Sequence, residues 1–170
     1  MEKQFIEIKP EEIKDNPFKA IGTDWFLVTA GNREHFNTMT AAWGGFGILW
    51  GKKVCFCFIR PTRHTYGFTE NTDTFTLSFF DDSYRKVLSF CGSHSGRDCD
   101  KVKETGLTAA ESESGAVYFN EARLVLECRK VYFQDISPEN FIDKSLDTKN
   151  YPLKDYHRMY AGEIIRCLEK

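Results

Sequence analysis

Hydrophobic residues in this chain recur mostly at every second position, the repeat of a strand. Thr74–Phe80 (TFTLSFF) shows it best, with Phe75, Leu77 and Phe79 on one face. Asp24–Ala30 (DWFLVTA) and Phe36–Trp43 (FNTMTAAW) read as two more strands, joined by the turn residues Gly31-Asn32-Arg33-Glu34. Gly44-Gly45-Phe46-Gly47 is expected to break or bulge the second of these. Lys53–Ile59 reads as a buried strand, and Ala122–Phe133 as the longest strand. Arg158–Leu168 is ambiguous between strand and helix and is read here as a strand.

The helical signals are short. Thr62 is the expected N-cap of a helix running to about Asn71, weakened by Gly67. Asp82 or Ser83 would cap the next, whose Tyr84, Val87, Leu88 and Cys91 share one face at helical spacing. Cys91–Asp100 (CGSHSGRDCD) reads as a polar loop, with Asp98 capping a short helix that stops at Gly106. Ser137-Pro138-Glu139 suggests a helical turn at Asn140–Ile142. No repeat or linker interrupts the 170 residues, which read as a single domain. Six or more strands with short helices between them favour a mainly β fold, a barrel with helical insertions, over a βαβ sheet.

Composition narrows the function. Fifteen Phe, seven Tyr and three Trp suggest a β-rich core, a stacking site for a flat ligand, or both. Twenty-three basic against twenty-five acidic residues leave a net charge of −2, which argues against a dominant nucleic-acid role. The longest apolar run, Val54–Ile59, is too short to span a membrane. Met1–Ile8 alternates charged and apolar residues and lacks a signal-peptide core, so a cytoplasmic protein is expected. The six cysteines contain no Cys-x-x-Cys and are expected to be reduced, Cys55 and Cys57 packing as small hydrophobes. The four histidines show no metal-ligand spacing, and no metal is expected.

Four stretches bear on chemistry. Gly44–Gly51 (GGFGILWG) fails as a dinucleotide fingerprint, because Trp50 stands where the third glycine is needed and a strand follows. In Arg60-Pro61-Thr62-Arg63-His64-Thr65 a strand ends and a helix begins between two arginines and two threonines. Helix-end N–H groups, hydroxyls and guanidinium forks suit a phosphate; residue types equally allow a capped helix beside two solvated arginines. In Asn37–Trp43, Thr38, Thr40 and Ala42 would line a small, polar strand face. Such a face admits a flat ligand to the backbone, or it simply turns threonines to water. Ser93-His94-Ser95 places a histidine between serines, but His94 occupies the centre where a nucleophile elbow needs serine, which leaves a polar loop as the default.

Taken in order, Asn37–Gly45, Leu49-Trp50, Arg60–Tyr66, Phe75–Phe80, Tyr84-Arg85-Lys86, Cys91–Asp98 and Glu127-Cys128-Arg129 resemble the flavin reductase-like, flavoredoxin-type family over about Phe18–Gly162. The resemblance implies an FMN-binding split β-barrel, a homodimer with flavin at the subunit interface. By position, Asn37, Thr38, Met39, Thr40, Ala41 and Ala42 would contact the isoalloxazine edge, largely through backbone. Arg60, Thr62, Arg63 and Thr65 would hold the phosphate. Ser78, Phe79 and Phe80 would lie beside the flavin, and Ser93, His94 and Ser95 would close the pocket from the same or the partner subunit. Gly67 and Cys99 depart from the family pattern.

The implied activity is hydride transfer from NADH or NADPH to FMN and onward to free flavin, a redox protein partner or a small acceptor. The cofactor carries that chemistry, so no acid or base is obligatory. His94 is the candidate for stabilising charge on reduced flavin or touching the donor. The alternatives are a non-enzymatic FMN electron carrier fed by a protein partner, and a flavin-binding protein without turnover.

Overall fold

The computed structural model describes residues 4–170, so the first three positions of the alternating Met1–Ile8 stretch lie outside the described residues. Strand β1 (Ile6–Glu7) leads through a 3-10 turn at Pro10–Glu12 to helix α1 (Pro17–Lys19). Asn16 caps α1, its side chain accepting from the N–H groups of Phe18 and Lys19. The chain then widens through a π-helical turn at Ala20–Asp24 into β2 (Phe26–Gly31). Asn32 makes the turn to β3 (Phe36–Ala41) by accepting the N–H groups of Glu34 and His35 at 3.1 and 2.9 Å.

The glycines after β3 do not break the sheet. Gly44–Leu49 forms β4, which pairs in register with β5 (Lys52–Ile59), Gly44 opposite Cys57 and Leu49 opposite Lys52. Trp50 and Gly51 turn this hairpin with φ of 52° and 71°, the pair of positive values that matches strand twist. The glycines leave the expected bulge unnecessary because β4 is an end strand whose exposed face needs few side chains.

Helix α2 (His64–Glu70) starts one residue later than the threonine reading required. Arg63 stands at its N-cap without a side-chain bond, so Thr62 caps nothing. Strand β6 (Thr74–Phe79) is followed by a 3-10 turn at Asp82–Tyr84 and by α3 (Arg85–Ser93). Neither Asp82 nor Ser83 caps α3, because the 3-10 turn occupies them; and α3 takes in Cys91–Ser93, the start of the expected loop. Asp100, not Asp98, caps α4 (Lys101–Thr105), and Gly106 ends it in the left-handed conformation as expected. Short β7 (Ala109–Glu111) and β8 (Val117–Phe119) pair only with each other.

The two long strands are β9 (Leu124–Asp135) and β10 (Arg158–Glu169), which settles the ambiguous C-terminal segment as strand. Between them the helical turn falls at Pro138–Asn140 rather than 140–142, and α5 (Lys144–Asn150), capped by Asp143, has no counterpart in the sequence reading.

The fold is mainly β. The sheet is antiparallel in the order β3-β2-β6-β9-β10-β5-β4, with β1 added to β10. It curls until β3 packs against β5. Inside the curl lie Phe26, Val28, Cys55, Cys57, Phe75, Leu77, Phe79, Leu126, Cys128 and Tyr160. A second core, with Leu27, Leu88, Cys91, Phe119 and Val125, fills the space between the outer face and the elements α3, α4, β7 and β8. Strand β2 and the first half of β9 are thus covered on both sides, which is why they read as nearly continuous apolar runs, whereas β6, also covered, turns Thr76 and Ser78 to the outer core. Gly162 of β10 lets the inner core close: a Cβ there would stand 2.6 Å from Phe75 Cζ and 2.8 Å from Cys128 Cβ. No helix among the described residues is long and apolar enough to cross a membrane.

Candidate functional site

Strand β3 ends the sheet, so among the described residues one of its edges has no strand partner. Main-chain groups on such an edge must bond to something else or remain available. Thr38 C=O on that edge accepts from the Lys101 ammonium at 2.8 Å, which also bonds Cys91 C=O at 2.8 Å. By the two-residue alternation of an antiparallel pair, the main-chain groups of Thr40 project from the same edge. The threonine hydroxyls are spent inside the protein rather than turned to water. Thr38 is buried and bonds Val28 C=O and the Thr29 hydroxyl, while Thr40 donates to Leu88 C=O at 2.5 Å, under α3. The strand therefore offers its edge, and of that face Thr40 and Ala42 reach a cavity.

Beside that edge lies a cavity of about 220 Å³ lined by Met39, Thr40, Ala41, Ala42, Trp43, Phe58, Arg60, Arg63 and His157. The two arginines differ. Arg60 is committed to the protein: it pairs with Asp155 at 2.6 Å, donates to Asn150 C=O at 2.8 Å, and lies 5.0 Å from the Tyr151 ring centre. Arg63 donates to Gly92 C=O at 2.9 Å, and no carboxylate pairs with it among the described residues. Burial, and then the neighbouring Arg60 charge, lower its pKa. A half-buried cation without a counter-charge is a standing invitation to an anion.

A second, polar cleft of about 640 Å³ opens at the other end of β3, with Asn37, Thr38, His64, Arg97 and Lys101 in its lining. Burial lowers the His64 pKa, and Arg97, His35 and Lys101 lower it further, so its neighbourhood is cationic. Lys101 is 5% exposed, and burial brings its ammonium down to about 8. Thr65 is fully buried beneath this cleft, accepting from Asn37 Nδ2 at 2.7 Å. Gly96 packs on the same Asn37 side chain so closely that a Cβ would overlap it. Thr62 is exposed, and its C=O accepts from Arg97.

Within the chain, therefore, Met39–Ala42, Arg60 and Arg63 of the sequence candidates come together at the cavity, with Asn37, Thr38 and Thr65 next door. The rest stand apart. Ser78 and Phe79 are buried, Phe79 against Phe26 and Phe46, and the Ser78 hydroxyl has no partner. Phe80 lines a separate cleft with Asp15, Asp24 and Arg123. Ser93 and His94 are exposed at the end of α3, bonded to each other at 3.0 Å, with His94 stacked 3.9 Å from Phe90. Ser95 accepts from the Arg97 N–H in the next turn.

Sequence reasoning missed His157 and its support. Burial, then Arg60, holds the imidazole pKa down at about 4, so it is neutral near pH 7. Tyr151 bonds its Nδ1 at 2.9 Å, and Trp43 lies 4.8 Å from its ring. Nothing local marks His157, which reaches the cavity only because β10 pairs with β5. Among the described residues no cluster of His, Cys, Asp or Glu suits a metal ion.

The flavin reductase like domain family matches residues 18–169. No curated protein matches the chain. Among solved structures, flavoredoxin of Desulfovibrio vulgaris (Miyazaki F) is 22% identical, covering 96% of this chain and 77% of its own, with a TM-score of 0.67. Flavoredoxin from Methanosarcina acetivorans is 20% identical, with 86% and 71% covered and a TM-score of 0.67. An NADH:FAD oxidoreductase from Streptomyces globisporus is 18% identical, with 87% and 75% covered and a TM-score of 0.66.

Proposed function

Because the chain belongs to the flavin reductase-like domain family, we propose that it is an FMN-dependent oxidoreductase that takes electrons from NADH or NADPH. The observation that carries this reading is the convergence of a free strand edge, small residues and an unpaired arginine on one cavity. The residues fit the group. Ala41 and Ala42 leave room for a flat ring, and the edge of β3 offers main-chain donors and acceptors to its rim. Arg63 supplies the charge for the phosphate, with Arg97 and Lys101 adding to the positive field. Arg60 orders the 150–155 segment against the cavity.

Bound FMN supplies the hydride chemistry; the chain supplies seat, electrostatics and access. In this reading the chain is a split β-barrel acting as a cytoplasmic homodimer, a compartment that suits its free cysteines. Ser93 and His94, exposed, and Ser95, half-buried, line no part of the chain's own cavity and would close that of the second copy. The alternative, an electron carrier fed by a protein partner, is favoured by the likeness to two flavoredoxins.

The deciding experiment is anaerobic. Protein titrated with FMN should bind it at micromolar concentration, and NADH or NADPH should then bleach the flavin band. Failure to bind FMN rejects the site, whereas binding without bleaching selects the carrier. Sedimentation equilibrium of the FMN-loaded protein should give a dimer; a monomer that holds FMN tightly rejects the shared site.

A further inference from the structure

We propose that His157 is a further contact residue of this cavity, its Nε2 hydrogen-bonding the heterocycle seated there while Tyr151 fixes the ring. The inference rests on the cavity being the flavin seat. His157 is anchored through its backbone, its C=O accepting from Ile136 N–H at 2.9 Å. Its Nδ1 is taken by the Tyr151 hydroxyl at 2.9 Å. Tyr151 is 2% exposed and lies under Arg60, which is tied to Asp155. Asp155, Arg60, Tyr151 and His157 thus form one connected support, and the imidazole has little freedom to turn.

The other nitrogen is unspent. Nε2 has no hydrogen-bond partner among the described residues, yet it is not sealed from solvent, since Ser78 Oγ is the one sealed, unpartnered polar side-chain atom found among them. His157 lines the cavity, and with Nδ1 spent on Tyr151, Nε2 is the ring nitrogen left for an occupant. The charged groups that face it are Arg60 and Arg63, from the end of β5 and the loop beyond, and Asp155 from its own segment. Burial together with the two arginines keeps it neutral, so at Nε2 it offers one donor or one acceptor according to tautomer. Carbonyl and imide groups at the pyrimidine edge of a flavin can meet either.

Wild-type protein and the H157F, H157Q and Y151F variants would be titrated with FMN and with riboflavin by flavin fluorescence. H157F keeps an aromatic ring against Trp43 but loses the nitrogen; it should weaken both flavins equally, by about tenfold, the scale of one hydrogen bond. H157Q retains a polar group and should stay within about threefold of wild type. Y151F should weaken both flavins by less than H157F. In nitrogen-detected NMR of wild-type protein, FMN should shift His157 Nε2 and leave Nδ1 nearly unmoved, a signature that a purely structural histidine would not give. That measurement needs no variant, so an unfolded H157F still leaves the proposal open to refutation. With wild type binding FMN, undiminished affinity in H157F, equal losses in H157Q and H157F, or an unmoved Nε2 would each overturn it. If wild type binds neither flavin, the reading of the cavity fails, and this proposal with it.

Discussion

The interior of the curled sheet and the cavity beside β3 are built from neighbouring stretches of the same strands, yet they treat polar groups in opposite ways. In the interior, thiols and aromatic rings pack without exposure, and polar side chains such as Tyr160 send their hydroxyl to a partner, here Glu70 at 2.5 Å. At the cavity, Arg63 has no counter-charge, β3 has an unpaired edge, and His157 keeps one nitrogen free. Packing exhausts the bonding capacity of the first region. In the second it stops short, and that unspent capacity is what a ligand can use. The difference is open to attack from both sides.

The interior should respond most. Gly162→Ala places a methyl within 3 Å of Phe75 and Cys128, and overpacking of this kind costs about 1–3 kcal/mol. Gly162→Val should cost more. For a domain of this size the alanine variant should melt roughly 2–10 °C lower, while the folded fraction binds FMN as wild type does. An unchanged melting temperature would show that the interior is not closed in the way described.

The cavity carries a stability cost that pH exposes. His157 has a folded-state pKa of about 4 through burial, against about 6.5 when unfolded. As pH falls through that window the unfolded chain takes up a proton that the folded chain refuses, so stability falls with falling pH, by at most about 3 kcal/mol in all, less whatever solvent screens at this half-buried ring. His157→Gln should abolish this contribution. Relative to wild type, the variant should gain stability between pH 6.5 and 4, measured by urea denaturation. Carboxylates held low, such as Asp135 beside Arg158, lose their contribution at still lower pH and cancel in the difference. A constant difference across the window would place the imidazole in water, not in a half-buried wall.

The two arginines sharpen the contrast within the site. Arg63→Ala should weaken FMN by about ten- to a hundredfold, the worth of a charge-assisted bond of about 1.5–3 kcal/mol, and leave riboflavin nearly unaffected. Arg60→Ala frees Asp155 and the 150–155 segment, so it should lower stability and weaken both flavins alike. Equal phosphate selectivity in the two variants would erase the distinction drawn between them.

Strand identity was legible wherever alternation or a long apolar run existed, as in β2, β5, β6 and β9, and ambiguous in β10, whose pattern allowed a helix as well. Glycines 44–47 misled because an end strand tolerates residues that a central strand does not. The caps shifted because local turns at Asp82–Tyr84 and Ser95–Cys99 consumed the residues that looked like caps. α5 was invisible: a seven-residue helix with no buried side chain leaves no apolar stripe to read. At the site, Arg60 and Arg63 were legible as a pair but not as different. What separates them is Asp155, which lies ninety-five residues beyond Arg60 and is joined to it only by the sheet. The same distance in sequence hid His157.

The smallest effect should come from the thiols, and its smallness is itself a consequence of the comparison. Cys55 and Cys128 meet at 3.1 Å in the interior, and burial keeps the Cys128 and Cys57 thiols well above their ordinary pKa. Burial also pushes Cys91 up to about 11 and Cys167 to about 12. A thiol that stays protonated is a poor nucleophile and a poor redox partner. Cys99 is only half-buried and lines the polar cleft, its Sγ directed at Ser95 C=O at 3.5 Å. It has no second sulfur among its hydrogen-bond partners. Cys91→Ala, Cys99→Ala and the double variant should therefore change flavin reduction by NADH or NADPH, and reoxidation by an acceptor, less than about threefold in stopped flow, under ~0.7 kcal/mol of barrier. A fall beyond about tenfold, ~1.4 kcal/mol, with FMN affinity intact would put a thiol in the electron path and move Cys99 from the packed region into the working one.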